Sequence, residues 1–301
     1  MARYVAALSI TLTPLTDPDF RPFSRRIAWL AADADGNPVG SAFLRLNSRE
    51  THSHLVELEL NVHPAERRRG IGSRLLDAVV TAARDHQART VITDAPADSP
   101  AYHFLTARGF TIGLTLIYTR LRLADVDNAA LDAVPHHPGY RLTSWAGVVP
   151  DELAETFTAA RSGMDDAPTG DIEYGEDTWD VERTRSAAQV IEQRGEHLTT
   201  IAAVDEATGT IVGFSELVVP GDGKGEAQHY GTAVLPGHRG RGLALWMKAE
   251  QLRSVRTRFP DLDALLTDMV STNTAMLRTN ARLGYRPTDT IHRCTLDVCT
   301  Y

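Results

Sequence analysis

The chain repeats itself. Val39-Gly40, which opens the run SAFLRL after the turn DADGN, returns 173 residues later as Val212-Gly213, opening FSELVV after DEATGT. The strand-like runs ELELNVHP and GTAVLPG place Val62 and Val234 172 residues apart. The arginine-glycine segments RRRGIG and RGRGLA keep that separation, Arg67 to Arg239, and the pairs Gly109-Phe110 and Gly284-Tyr285 lie 175 apart. A near-constant offset through features of such different character implies two copies of one supersecondary plan.

Each copy reads as hairpin, strand, loop and helix, strand, helix, hairpin. In the first, strands are expected near 27–33, 39–46, 54–62, 90–93 and 113–122, with helices near 70–86 and 99–108. In the second, strands fall near 197–204, 211–219, 227–235, 263–267 and 290–297, with helices near 242–258 and 273–283. Leu75, Leu76, Val79, Val80 and Ala83 form an apolar stripe at helical spacing, matched by Leu245, Trp246, Ala249, Leu252 and Val255. Hairpins plus one strand–helix–strand crossover define an α/β class, an α+β mixed sheet in each copy. The expected domains are 1–125 and 140–301, joined by a linker at 126–139 that holds Pro135 and Pro138. Only the second copy has room for two further helices before its first hairpin, one from Asp151 to Arg161 and one near 178–194. Between them lies an acidic stretch with Asp165, Asp166, Asp171, Glu173, Glu176 and Asp177.

A net charge of −8 argues against nucleic acid as the main partner. No apolar run approaches the roughly 20 residues of a membrane helix, and the first residues do not read as a signal peptide. The two cysteines, Cys294 and Cys299, are both expected on the last strand, where a spacing of five puts them on opposite faces and disfavours a bridge. These features fit a cytoplasmic protein, monomer or homodimer, acting without a metal.

The chemistry concentrates in the two arginine-glycine loops. Each lies between a strand and a helix, where unpaired N–H groups and the helix dipole attract anions. Glycine or alanine lets a phosphate approach those amides, and arginines add charge. A pyrophosphate suits such a site. No GK[ST] follows either loop, which disfavours a Walker-type nucleotide site. The surrounding hairpins disfavour a dinucleotide fold.

R-x-x-G-x-G in RRRGIG and R-x-x-G-x-A in RGRGLA resemble the acyl-CoA motif of the GNAT N-acetyltransferase superfamily, so the chain is similar to two tandem GNAT-like domains. The resemblance implies acetyl-CoA as acyl donor, lying where the fourth and fifth strands splay apart. Pantetheine would pair near Val62 and Val234. In the first copy Arg67, Arg68, Arg69, Gly70, Gly72 and Ser73 would hold the pyrophosphate. In the second, Arg239, Gly240, Arg241, Gly242, Leu243 and Ala244 would do so. Asn273 reads as a helix N-cap or as a further CoA contact.

The resemblance also implies direct acyl transfer to an amine, with the acceptor walled by the early helices. Catalysis is therefore expected in the second copy. The tyrosine that many family members place in the last helix is replaced by Leu105 and Asn280, of which Asn280 retains hydrogen-bonding capacity. Candidate bases are Glu57, beside Glu59, in the first copy and His229, next to Tyr230, in the second. The acidic stretch would favour a cationic acceptor. The small-molecule amine acceptor has as alternatives a CoA-binding protein without turnover and a protein acetyltransferase.

Overall fold

The computed structural model describes residues 10–16, 24–47, 49–175 and 178–301. The first copy begins with strands β1 (Thr11–Thr16), β2 (Ser24–Ala32), β3 (Pro38–Asn47) and β4 (Leu55–Val62). Helix α1 (Ile71–Asp85), strand β5 (Thr90–Pro96), helix α2 (Pro100–Thr106) and strand β6 (Thr111–Arg122) complete it. A short helix α3 (Asn128–Asp132), capped by Asp127, occupies the expected linker. The second copy runs β7 (Tyr140–Ala146), α4 (Asp151–Ala160), α5 (Val181–Gln193), β8 (His197–Asp205), β9 (Ile211–Val219) and β10 (Gly225–Val234). It ends with α6 (Leu243–Arg258), β11 (Leu262–Val270), α7 (Thr274–Arg282) and β12 (Arg286–Asp297).

The chain divides into two compact units that do not follow the sequence copies. Unit 1 comprises 1–115, 169–176 and 291–301; unit 2 comprises 116–168 and 177–290. In unit 1, β1 to β4 form an antiparallel meander, β4 runs parallel to β5, and β5 pairs antiparallel with Ile291–Asp297 of β12. In unit 2, β7 to β10 form the meander, β10 runs parallel to β11, and β11 pairs with Leu116–Arg122 of β6. Each unit thus takes its last strand from the other copy.

The predicted stripes face the cores. Ile71, Leu75, Leu76, Val79, Val80 and Ala83 of α1 are buried on unit 1. Helix α6 exceeds its stripe, burying Met247, Lys248 and Gln251 as well. The sheets differ in cover. Along β4, Leu55, Val56 and Leu58 are buried while Glu57 and Glu59 are exposed. Every residue of β9 is buried, because α6 packs on one face and α4 on the other. Phe157 of α4 stacks edge-on to Phe214 of β9 at 5.4 Å between centroids. Strand β12 ends at Asp297, so only Cys294 lies on it. Cys299 falls in the turn beyond, and both thiols are free, one buried and one exposed.

Candidate active site

Both arginine-glycine loops use glycine for its backbone freedom. Gly70 and Gly242 are the N-caps of α1 and α6 with φ of 82° and 81°, and neither helix mouth carries a side-chain cap. Two residues earlier the chain is left-handed again, at Arg68 (φ 65°) and Gly240 (φ 75°). Alternating left-handed residues turn successive amides to one side, a nest for an anion. The leading arginine closes each loop from behind. Arg67 donates from Nε to the carbonyl of Val62 at 3.3 Å, and Arg239 to that of Val234 at 2.8 Å. Arg239 also makes a bidentate pair with Asp166 at 2.5 and 2.7 Å and donates to the Gly163 carbonyl at 3.2 Å. It fixes the segment after α4 against β10 and lowers the Asp166 carboxyl below its ordinary pKa.

The other loop residues divide between the units. In unit 1, Arg69 pairs with Glu66, and Arg108 bonds Ser73 Oγ. A Cβ built on Gly72 would stand 3.3 Å from the Phe104 ring and 3.6 Å from Val62, so the phenyl packs on the helix mouth, where the end of β4 also comes close. In unit 2, Gly240, Gly242, Leu243 and Ala244 line a cavity of about 720 Å³. Arg241 lies over the Tyr140 ring at 5.8 Å.

This cavity is the gap between β10 and β11. Their parallel pairing stops at Gln228 and Leu266, after which His229–Val234 and Thr267–Val270 form facing walls. In unit 1 the pairing of β4 with β5 likewise stops at Glu57 and Ile92. Only β10 is irregular on its other edge: its register with β9 shifts between His229 and Gly231, whereas β4 pairs with β3 without a shift. The bulge turns Tyr230 out to 52% exposure and frees its backbone from the ladder.

The sequence-predicted catalytic residues do not form one cluster. Glu57 lies in unit 1, exposed, 3.8 Å from Arg45. His229 and Tyr230 line the cavity of unit 2. His229 is buried, with Nε2 2.7 Å from the Tyr285 hydroxyl. Burial lowers its pKa well below the ordinary value, and nearby Lys248 lowers it further, so the imidazole is neutral. Asn280 is buried with its amide donating to Met269 Sδ at 3.4 Å and is not among the cavity-lining residues. Asn273 lines the cavity and also caps α7, its Oδ1 accepting from the Met276 N–H at 3.1 Å.

The acidic rim is not assembled as expected. Asp166 is neutralised by Arg239. Asp171 and Glu173 belong to unit 1, where their backbones bond the Gly113 carbonyl and His54. Asp165 is exposed, and Glu176 and Asp177 lie outside the described residues. What the turn after α4 does supply is one partner of a buried ion pair on the face of β9 away from α6. Arg161 donates to Glu216 at 2.6 Å and lies 4.4 Å from the centroid of Trp179. Desolvation raises the Glu216 pKa in spite of the guanidinium.

Sequence reasoning missed Lys248. It is 2% exposed, lines the cavity, and lies 5.1 Å from the Tyr285 ring centroid. Burial brings its pKa down to about 7. The signal was present: Lys248 is three residues from Leu245 and four from Leu252, inside the buried stripe.

A parallel strand pair that parts over a glycine-led helix mouth defines an acyl-CoA acetyltransferase fold. The chain belongs to the GNAT acetyltransferase family, whose model, "Acetyltransferase (GNAT) family", matches residues 4–110 and again 165–285. It is a tandem GNAT N-acetyltransferase, similar in plan to mycothiol synthase. The mycothiol acetyltransferase of Mycobacterium avium (strain 104) is 29% identical over 237 residues, covering 75% of this chain and 69% of the relative. That of Mycolicibacterium gilvum (strain PYR-GCK) is 27% identical, covering 90% of this chain and 92% of the relative. Among solved structures, a tandem GNAT protein from the clavulanic acid biosynthesis pathway superposes with a TM-score of 0.75 at 23% identity, over 96% of this chain and 98% of that one. Enzymes of this family use acetyl-CoA.

Proposed function

We propose that unit 2 transfers an acetyl group from acetyl-CoA to the primary amine of a small molecule. The observation that carries this reading is the continuous cavity of about 720 Å³ from the Gly240–Ala244 helix mouth to the bulge at His229–Gly231. Its parts match those of the donor. The amides at the mouth of α6 would take the pyrophosphate, and the free edge of β10 would take the pantetheine amides. The bulge would present a backbone N–H to the thioester oxygen, where charge develops during attack.

No covalent enzyme intermediate is required. An amine held beside the thioester attacks the carbonyl carbon, the carbon–sulfur bond breaks, and proximity supplies much of the rate. Tyr230 and Asp268 are exposed residues of the two cavity walls, and an acceptor would meet them first. The relatives named mycothiol acetyltransferase make an amine on a small molecule the acceptor class to test first.

The test combines calorimetry with acetyl-CoA and measurement of thiol release across a panel of small amines and a lysine peptide. Binding is expected in the wild type and lost in Gly242→Ala. The added Cβ would sit at positive φ and 2.9 Å from the His137 ring. Turnover confined to the peptide would replace the small-amine reading with protein acetylation, and binding without turnover would leave a non-catalytic CoA protein.

A further inference from the structure

We propose that Lys248 is the catalytic acid that delivers a proton to the departing CoA sulfur; this rests on the acyl-transfer reading of unit 2. The leaving group is an alkyl thiolate, whose conjugate thiol has a pKa near that of cysteine, about 8.5. Expelling it into a desolvated cleft as an anion is costly, so a donor must lie in the cavity wall. Tyr285 is unsuited, because burial pushes its hydroxyl pKa far up and its oxygen is engaged with His229. His229 is neutral. Arg239 is bound to Asp166. Lys248 is different. Its side chain is almost wholly buried, it lines the cavity, and no hydrogen bond or ion pair holds its ammonium among the described residues. A buried lysine that meets an aromatic face, the Tyr285 ring 5.1 Å away, but no anion is destabilising and calls for an explanation beyond packing.

The surroundings set its proton affinity. From β10 it faces His229, and from the segment after α7 it faces Tyr285. Asp268 of β11 and the Arg239–Asp166 pair line the same cavity. Strand β9 contributes the neutral hydroxyl of Ser215, bonded to Thr232, and β8 contributes Thr199, bonded to Gln251. Glu216 lies on the opposite face with Arg161. At neutral pH a substantial fraction of Lys248 is protonated, and an acid weaker than water-exposed carboxyls but stronger than the thiol is matched to the transfer.

The step balances. The acceptor nitrogen forms a bond to the acetyl carbon as the carbon–sulfur bond breaks, and the electron pair goes to sulfur. Lys248 gives its proton to sulfur and becomes a neutral amine. The nitrogen of the new amide sheds one proton, which returns through water in the cavity to Lys248. The products are the amide and free CoA, with the enzyme unchanged.

The experiment titrates the thiol of CoA bound to the full chain by thiolate ultraviolet absorbance, in wild type and Lys248→Met, alongside pH–rate profiles. The bound thiol is expected to ionise at least one pH unit below free CoA in the wild type but not in the variant. Lys248→Met is expected to lower kcat by about 10²-fold or more, with the KM for acetyl-CoA within about threefold. Lys248→Arg, charged throughout, is expected to lose the fall in kcat as pH rises through about 7. Binding with a thiol pKa equal to that of free CoA overturns this proposal alone, as does a Lys248→Met enzyme of wild-type kcat. Failure of CoA to bind overturns the acyl-transfer reading and this step together.

Discussion

Arg239 donates from Nε to the Val234 carbonyl at 2.8 Å, and Arg67 makes the corresponding bond to Val62 at 3.3 Å in the other copy. The leading arginine of the motif therefore spends its guanidinium on the protein. It ties the loop to the strand that feeds it, leaving the glycine-led amides free for an anion. In unit 2 the same side chain also holds Asp166 and the Gly163 carbonyl.

Arg239→Ala is accordingly expected to weaken acetyl-CoA binding by about 10-fold or more, through a mispositioned loop, because several charge-assisted hydrogen bonds are lost together. Lys restores the charge but not the fork and should recover little. Calorimetry on both variants decides between positioning and a simple charge effect: full recovery by Arg239→Lys would favour charge.

Arg68 holds φ at 65° where the second copy has Gly240 at 75°. A left-handed non-glycine residue is strained by about 1 kcal/mol or more. Arg68→Gly should therefore stabilise unit 1 by about 0.5 to 1 kcal/mol, after glycine's larger unfolded-state entropy is set against the relief. Denaturant melts of the variant check the sign; a loss of stability would mean that the arginine side chain contributes more than its backbone loses.

The repeat, the glycine loops and the helices were legible because each rests on local rules. Periodicity found the five stripe residues of α1 and of α6, all buried, though α6 buries more, and the need for bare backbone beside an anion marked Gly70, Gly240 and Gly242, which prove to be left-handed as well. What the sequence left open depends on tertiary choice. Nothing local tells β12 to join β5 rather than its own copy. The bulge was signalled only by Gly231 within a strand, beside Tyr230. The acidic stretch looked like one feature, yet Asp166 and Glu173 belong to different units. Lys248 was hidden because lysine on a helix is ordinarily solvated, and its burial follows from α6 being packed nearly all round.

Burying Lys248 has a measurable consequence for stability. Its pKa is about 7 in the folded chain against an ordinary 10.5. Between those values the unfolded chain binds the proton and the folded chain does not, so stability rises with pH across that window. Below it, the penalty is constant and on the order of 5 kcal/mol. Lys248→Met removes it with little change of volume. The variant should melt several degrees above wild type at about pH 6, and the difference should shrink as pH approaches about 10. Thermal scans at three pH values test this. A variant less stable at about pH 6 would show that the ammonium is well solvated in the native cavity.

Unit 1 carries the same helix mouth but fills the approach to it. Phe104 corresponds, 175 residues earlier, to Thr279, which lines the cavity of unit 2. Its ring packs on Gly72 at the helix mouth, with Val62 beside the same glycine, where pyrophosphate and pantetheine would lie. Arg108 stands 5.8 Å from that ring and bonds Ser73 Oγ, bridging α1 to the segment that follows α2. Displacing this half-buried phenyl forfeits about 1 to 2 kcal/mol of apolar burial before any ligand contact is made. Wild-type protein is therefore expected to bind one acetyl-CoA per chain. Phe104→Thr should introduce a second, weaker binding event that survives when Gly242→Ala removes the first. Two equivalent sites in the wild type would show that the ring swings aside at little cost and that both copies accept the donor.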